Sequence, residues 1–231
     1  MIKKFTLWGH SLNDYMEMFN LSDKVLQEKR LIEYGAGVTS FNAQMNEKGY
    51  TALSIDPMYR LSLAEIKAKA DEIFDTTVAK IKANKDKYNW KSYGDLTNLL
   101  EQRRQGMNIF YDDYEQGKAD GRYMVIEEGS VLALENYTYD LALVTHHLFV
   151  NFADRGVEEH VALIQEMIRV AGEVRVFPLL NKYGQISQLL GPVMLSLQQQ
   201  DIGLEVRQVS SQLQKSGNAM LRAWAVKCEV V

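Results

Sequence analysis

The stretch LIEYGAGVTSFNAQMNEKGYTALSIDP, residues 31–57, decides the fold of this chain. A short apolar run leads into Glu33-x-Gly35-x-Gly37, an amphipathic segment follows, and a second apolar run ends at Asp56. The two apolar runs predict buried β-strands, and the segment between them predicts a crossover helix that stops at a glycine. A strand, a glycine turn, a helix and a second strand together predict two parallel strands of one sheet.

The same alternation continues through the chain, with three more strand-like runs, two helical stretches and a final pair of strand-like runs. We therefore expect an α/β fold with a doubly wound, mostly parallel sheet covered on both faces, and an antiparallel pair at the C-terminal end. The predicted strands lie at 30–35, 51–56, 123–127, 139–145, 173–179, 204–209 and 220–230, and the later predicted helices at 157–172 and 187–200.

Residues 58–121 interrupt this alternation. They contain no convincing strand, and Ile66, Ala70 and Ile73 repeat at helical spacing. A minimal crossover needs only about a dozen residues, so this segment predicts a helical insertion. We expect a single domain over 1–231, with 58–121 forming a cap over the carboxyl edge of the sheet.

Composition excludes several classes of protein. With 231 residues, 46% of them apolar and 24% charged, the chain is neither collagen-like, of low complexity nor wholly disordered. The formal charge of −4 provides no general positive field, so nucleic acid is disfavoured without being excluded. The single cysteine, Cys228, cannot form an intramolecular disulfide, and no run of about 18 apolar residues occurs, which predicts a cytoplasmic protein with no membrane partner. The oligomeric state stays open.

The glycine turn also predicts a ligand. A Gly-x-Gly between a strand and a helix lets the backbone pass close beneath a ligand, and Asp56, 19 residues after Gly37, is placed for ribose hydroxyls. Ser40 stands where the dinucleotide fingerprint has its third glycine, and the carboxylate of Glu33 suits a cation better than a phosphate. The pattern favours S-adenosylmethionine (SAM), which carries a sulfonium and an amino group.

These residues resemble the class I SAM-dependent methyltransferases, whose first motif is an acid followed by Gly-x-Gly-x-Gly. The motif is written here as E-Y-G-A-G-V-T, with Thr39 in place of the third glycine. The resemblance continues in order through S-I-D-P, E-E-G-S, Y-D-L-A-L-V-T-H-H-L-F and I-Q-E-M-I-R-V-A-G-E-V-R-V-F-P, and covers roughly half of the chain. With G-N-A-M-L-R near its end, the chain looks like a poorly characterised bacterial branch. The resemblance implies a Rossmann-like methyltransferase sheet.

The resemblance also implies the roles of individual residues. The expected cofactor-binding residues are Glu33, Gly35 and Gly37 at the methionine part, Asp56 at the ribose, Met58 over the adenine face, and Glu128, in preference to Glu127, at the adenine amino group. His146 occupies the position where such enzymes present groups to both cofactor and acceptor. If the acceptor carries a proton, we expect His146 first and His147 second as the base, because an imidazole near its ordinary pKa accepts a proton around neutral pH.

The predicted function is methyl transfer from SAM to an unidentified acceptor, expected to be a small molecule. A non-catalytic SAM-binding or partner-binding module of the same fold stays open as the alternative, and Ser40 and Glu33 disfavour a nicotinamide-dependent oxidoreductase. No metal is predicted. The basic run over 80–91 is interpreted as a solvated helix end in preference to a contact for an acidic ligand. The polar and aromatic N-terminal cluster at Trp8, His10, Asp14 and Tyr15 fits either closure over the cofactor or an ordinary amphipathic helix.

Overall fold

The computed structural model describes residues 7–211 and 213–226. That part of the chain contains seven strands: β1 (Leu31–Tyr34), β2 (Ala52–Ile55), β3 (Tyr123–Met124), β4 (Leu141–Thr145), β5 (Glu173–Phe177), β6 (Ile202–Gln208) and β7 (Ala219–Ala225). They form one sheet in the spatial order β3-β2-β1-β4-β5-β7-β6.

The pairing of these strands confirms the expected fold class. Strand β1 runs parallel to β2 and β4, and the pairs β2–β3 and β4–β5 are also parallel. Strand β7 is antiparallel to both β5 and β6. The sheet is therefore the doubly wound, Rossmann-like methyltransferase sheet with an antiparallel C-terminal pair. Its winding reverses between β1 and β4, and ligands of open α/β sheets bind at the carboxyl ends of the strands at such a point.

Helices cover both faces of the sheet. On one face, the crossover helix between β4 and β5 and the helix before β6 enclose an apolar core with Ile32 and Tyr34 of β1. On the other face, the two N-terminal helices and the helix between β1 and β2 pack around Leu31. The helices are α1 (Leu12–Phe19), α2 (Asp23–Glu28), α3 (Phe41–Glu47), α4 (Leu63–Ala83), α5 (Leu96–Ala119), α6 (Val157–Ala171) and α7 (Leu190–Gln198).

Two predicted elements are shorter in the structure. The strand predicted over 123–127 is only β3, because this edge strand pairs solely with Ser54 and Ile55 of β2 and its continuation, at Val125, is 41% exposed. The helix predicted over 187–200 begins only at Leu190. The last predicted strand reaches Ala225, and Cys228 lies outside the described residues. No helix of the described ranges combines the length and apolar character that crossing a membrane requires.

The segment over 58–121 contains two long helices, α4 and α5, as a helical insertion between β2 and β3. Ser62 and Glu65 form a capping box at the start of α4, and Asp95 caps α5. Buried apolar residues of both helices share one cluster with Ala36 and Val38 of the glycine turn. The two helices therefore pack against the glycine turn that follows β1.

The N-terminal segment is held between this insertion and the sheet. Gly9 has φ +46° and packs directly on Gly106 of α5, so that a Cβ atom added to Gly106 would overlap the carbonyl oxygen of Gly9. Trp8 packs on Phe74 of α4, with ring centroids 5.1 Å apart. On the opposite side, the backbone N–H of Ser40 donates to the carbonyl of His10 at 2.9 Å. Residues 8–10 therefore connect α3, α4 and α5.

The close approach of Gly9 and Gly106 leads to a prediction about stability. Alanine is the better helix former, yet Gly106→Ala is expected to lower the free energy of unfolding by about 1–3 kcal/mol, because overpacking forces the two segments apart. Gly191→Ala is the matched control, since Gly191 also lies in a helix and nothing lies within 4 Å of its added Cβ. Denaturant unfolding of both variants measures the difference. Equal stability of the two variants would contradict the described packing.

Candidate functional site

The glycine turn leaves β1 at the point where the winding of the sheet reverses. Gly35 and Gly37 have φ values of +70° and +63°, a conformation that side chains disfavour. The backbone N–H of Gly37 donates to Oδ2 of Asp56 at 3.0 Å, and the N–H of Met58 donates to Oδ1 at 2.8 Å. The Asp56 carboxylate therefore holds the turn after β1 against the end of β2.

Asp56 is 1% exposed, and burial raises its pKa to about 6 despite the two backbone donors. Each oxygen of the carboxylate already accepts one hydrogen bond from the backbone of its own chain. Met58 is also buried and belongs to the apolar cluster of the insertion. The structure thus brings Gly35, Gly37, Asp56 and Met58 together, and both Asp56 and Met58 are buried there.

Glu33 lies on the other face of β1, toward α1 and α3. Its carboxylate accepts hydrogen bonds from the hydroxyls of Tyr15, of Thr39 at 3.1 Å and of Ser54 at 2.8 Å. Burial raises the pKa of Glu33 to about 7, although these donors act in the opposite direction. Its contacts are structural: they link β1, the glycine turn, α1 and β2.

His147 covers the glycine turn. Its ring atoms lie 2.9 Å from the position that a Cβ atom on Gly35 would take, and its ring meets Tyr34 edge-on with centroids 5.1 Å apart. Its Nε2 lies 3.5 Å from Oε1 of Glu128, whose carboxylate also lies 3.8 Å from the guanidinium of Arg155. Burial lowers the pKa of His147 to about 4. The imidazole therefore fills the space between Gly35 and Glu128 in neutral form.

His146 lines a cavity of about 120 Å³, together with Trp8, His10, Tyr93 and Phe177. His146 has φ +51° and stacks on His10, with centroids 4.9 Å apart and an interplanar angle of 16°. Burial lowers the pKa of His146 to about 4 and that of His10 well below its usual value. The ring of His146 is thus a weaker base than the free imidazole assumed from the sequence.

A buried ion pair forms the back of this cavity. Arg103 of α5 donates to both carboxylate oxygens of Asp14, at 2.6 and 3.0 Å, and Tyr93 donates to the same carboxylate at 2.8 Å. Burial alone would raise the pKa of Asp14, but the Arg103 guanidinium lowers it well below its usual range. Since the two charges neutralise each other, the wall presents no uncompensated charge.

Arg103 was not among the residues predicted from the sequence. A signal for Arg103 was present, because it interrupts the apolar face of α5 between Leu99 and Met107, each four residues away. A charged residue on such a face requires a buried partner. Nothing in the sequence named that partner, because Asp14 is 89 residues away.

Comparison with known proteins gives few relatives by sequence. No family model matches the chain. The chain is 26% identical over 221 residues to the uncharacterised protein MJ0045 of Methanocaldococcus jannaschii, and the match covers 95% of this chain and 96% of that protein. This relative is archaeal, whereas the sequence resemblance pointed to a bacterial branch.

Solved structures similar to the chain are methyltransferases. Magnesium protoporphyrin IX methyltransferase from Synechocystis, solved with bound SAM, is 12% identical with a TM-score of 0.45, and the match covers 88% of this chain and 73% of that one. A SAM-dependent methyltransferase from Aquifex aeolicus is 15% identical with a TM-score of 0.43, covering 92% and 93%. The chain has the class I methyltransferase fold. That assignment rests on its own strand order and strand directions.

The buried carboxyl of Glu33 leads to a prediction about pH. The unfolded chain releases the Glu33 proton near its ordinary pKa of 4.5, whereas the folded protein keeps it to about pH 7, so this contribution to stability is lost as the pH rises from about 4.5 to 7. Glu33→Gln removes the titration. Its free energy of unfolding should therefore rise relative to the parent by on the order of 2–3 kcal/mol across that range.

Denaturant unfolding at several pH values measures this difference. The buried histidines act in the opposite direction, because their lowered pKa values favour the folded state as the pH rises, but they are common to both proteins and cancel in the comparison. A difference between parent and Glu33→Gln that stays constant with pH would show that the carboxyl titrates normally.

Proposed function

We propose that the chain is a SAM-dependent methyltransferase that acts on a small-molecule acceptor. The observation that carries the proposal is the meeting of two features where the sheet reverses its winding. The glycine turn, held by Asp56, follows β1, and the cavity lined by His146 opens beside the end of β4. The strand ends at such a point are where this class of sheet binds its ligands.

The residue types at the turn fit an adenosyl ligand. Gly35 and Gly37 let a ligand approach the backbone, and the carboxylates of Asp56 and Glu128 suit ribose hydroxyls and an adenine amino group. The space itself is filled by the ring of His147, which touches the face of Gly35. For an adenosyl ligand to reach the backbone at Gly35, the ring of His147 would have to move away from it.

Methyl transfer from a sulfonium requires little chemistry from the side chains of the protein. When bound, the cofactor supplies a methyl group on a sulfonium, which is already a good leaving group. Orientation of the acceptor then supplies most of the rate enhancement. His146 is neutral at pH 7, so its ring would accept a hydrogen bond from the O–H or N–H group that is methylated, orient that group, and take up the proton that it loses before passing it to water.

A second candidate function has its own support. Both oxygens of Asp56 accept bonds from backbone amides, and His147 closes the face of Gly35. A chain in which these contacts persist is a non-catalytic module that keeps the fold and uses another surface. Cofactor binding separates the two candidates.

The first test compares two adjacent acids. Glu128 lies 3.5 Å from His147 at the edge of the turn, whereas the side chain of Glu127 is 80% exposed and pairs with Arg60 at 3.8 Å. We expect Glu128→Gln to weaken SAM binding about tenfold, or about 1.4 kcal/mol, and Glu127→Gln to leave it unchanged. Isothermal titration calorimetry with the purified chain measures both. Equal loss in the two variants, or none in either, would remove Glu128 from the site.

The second test concerns His147. Because its ring occupies the space above Gly35, His147→Ala should tighten SAM binding several-fold, since no side chain has to move. His160→Ala is a control for loss of a buried histidine beside the same segment, because His160 is fully buried on α6, bonds to the carbonyl of Leu148 and packs on Phe149, whereas the ring over Gly35 is that of His147. Failure of SAM and of S-adenosylhomocysteine to bind either the parent or His147→Ala, with both proteins folded, would favour the non-catalytic candidate.

A further inference from the structure

We propose that the cavity at His10 and His146 binds the single ring of a molecule that also carries an anionic tail, and that the tail lies in an adjoining groove lined by lysines. Identifying this molecule as the methyl acceptor rests on the function proposed above. The existence of the site does not, because it is argued from the size of the cavity, its unpartnered nitrogens and the charge of the groove.

The size of the cavity limits the buried part of the ligand to one ring. Its volume is about 120 Å³, and a cavity of about 150 Å³ in another protein accommodates benzene. Aromatic side chains form much of its wall, namely Trp8, Tyr88, Tyr93 and Phe177. Such walls favour a planar aromatic or heteroaromatic ring.

The polar atoms in the wall set the chemistry of that ring. Both ring nitrogens of His10 and Nδ1 of His146 are buried and have no hydrogen-bond partner among the described residues. The nearest acid, Asp14, lies 4.0 Å from Nδ1 of His10 and is engaged by Arg103. A neutral imidazole offers one donor and one acceptor, so the ring that satisfies these atoms carries a hydroxyl or a ring N–H. A charged ring would find no counter-charge, because Asp14 and Arg103 neutralise each other.

The cavity opens into a groove of strongly positive charge. Thr77, His146, Pro178 and Gln214 line both the cavity and a depression of about 500 Å³, which in turn shares residues with a second depression of about 560 Å³. The lysines that line these two depressions are Lys69, Lys80, Lys87, Lys182 and Lys215, and one acid, Glu72, lines them.

These lysines are available for a ligand. None of them takes part in an ion pair between residues that the structure describes. The whole chain has a formal charge of −4, so the charge of the groove is opposite in sign to the net charge of the protein. A cleft lined by one sign of charge raises the local concentration of ligands of the opposite sign. The basic run over 80–91 supplies part of this lining, from Lys80 and Lys87.

Four compounds with one phenol ring test the proposal by calorimetry on the full chain without cofactor. Phenol has no tail, 3-(4-hydroxyphenyl)propionate and 2-(4-hydroxyphenyl)ethyl phosphate have anionic tails, and tyramine has a cationic one. We expect the two anionic compounds to bind at least tenfold more tightly than tyramine, and phenol to bind with an affinity between that of tyramine and that of the anionic compounds. The anionic compound that binds more tightly shows whether the tail is a carboxylate or a phosphate. Tyramine binding as tightly as the acids would overturn the proposal.

Two double variants of equal charge test the groove. Lys80→Glu with Lys182→Glu should abolish the preference for anionic tails and leave phenol binding unchanged. Lys24→Glu with Lys48→Glu, at exposed positions outside the groove, should change neither. The same loss in both double variants would reduce the effect to net charge and overturn the groove. Tighter binding of a short polyanionic oligonucleotide than of either phenolic acid would overturn the small-molecule assignment.

A third variant tests the cavity. His10→Phe keeps a ring against His146 and removes two unpartnered nitrogens, so the binding of all four compounds should fall at least tenfold while the unfolding temperature is kept or raised. Unchanged phenol binding in this variant would overturn the cavity as the ring site. Anion-selective binding to a chain that fails to bind SAM supports the site and overturns the methyltransferase function, whereas SAM binding without binding of any phenol overturns the site alone.

Discussion

The buried ion pair between Asp14 and Arg103 determines how the N-terminal segment and helix α5 are assembled over the sheet. Asp14 belongs to the N-terminal helix that packs on the sheet, and Arg103 belongs to the insertion helix α5. Two such charges are stable in the interior only when they meet with good geometry, and loss of one partner leaves the other buried and unpaired. The pair therefore dictates where α5 crosses the N-terminal segment, and it places His10, Trp8 and Gly9 over the carboxyl edge of the sheet.

This crossing divides the carboxyl edge of the sheet into two compartments, one at the glycine turn and one at the cavity lined by His146. The adjacent residues His146 and His147, at the end of β4, enter different ones. His147 lies against Gly35 in the compartment of the glycine turn, and His146 stacks on His10 in the cavity whose back wall is the ion pair. Both rings are neutral because burial penalises their charged forms. A site with two neutral imidazoles and a self-neutralised ion pair is suited to holding and orienting uncharged polar groups.

The sequence predicted the sheet well because its strands and crossover helices are local patterns. Residues 31–57 contain a strand, a turn, a helix and a strand, each recognisable from the period of its apolar residues. The prediction was less accurate at the edge, where β3 has one neighbouring strand and pairs over only two residues. Of the candidate site, the sequence indicated Gly35, Gly37 and Asp56 as one group, and the structure joins Gly37 to Asp56 by a hydrogen bond.

What the sequence by itself determined is thus the order and type of the elements, and with them the parallel sheet and the glycine turn at its centre. What only the tertiary structure decided is which side chains face the turn. Glu33 accepts hydrogen bonds from the hydroxyls of Thr39 and Ser54, and His147 covers Gly35. Residues from the N-terminal segment and α5 line the cavity at His146. The physical reason is range. Strand and helix periods are set by neighbours a few residues apart, whereas a buried ion pair between residues 14 and 103 exists only once the chain has folded.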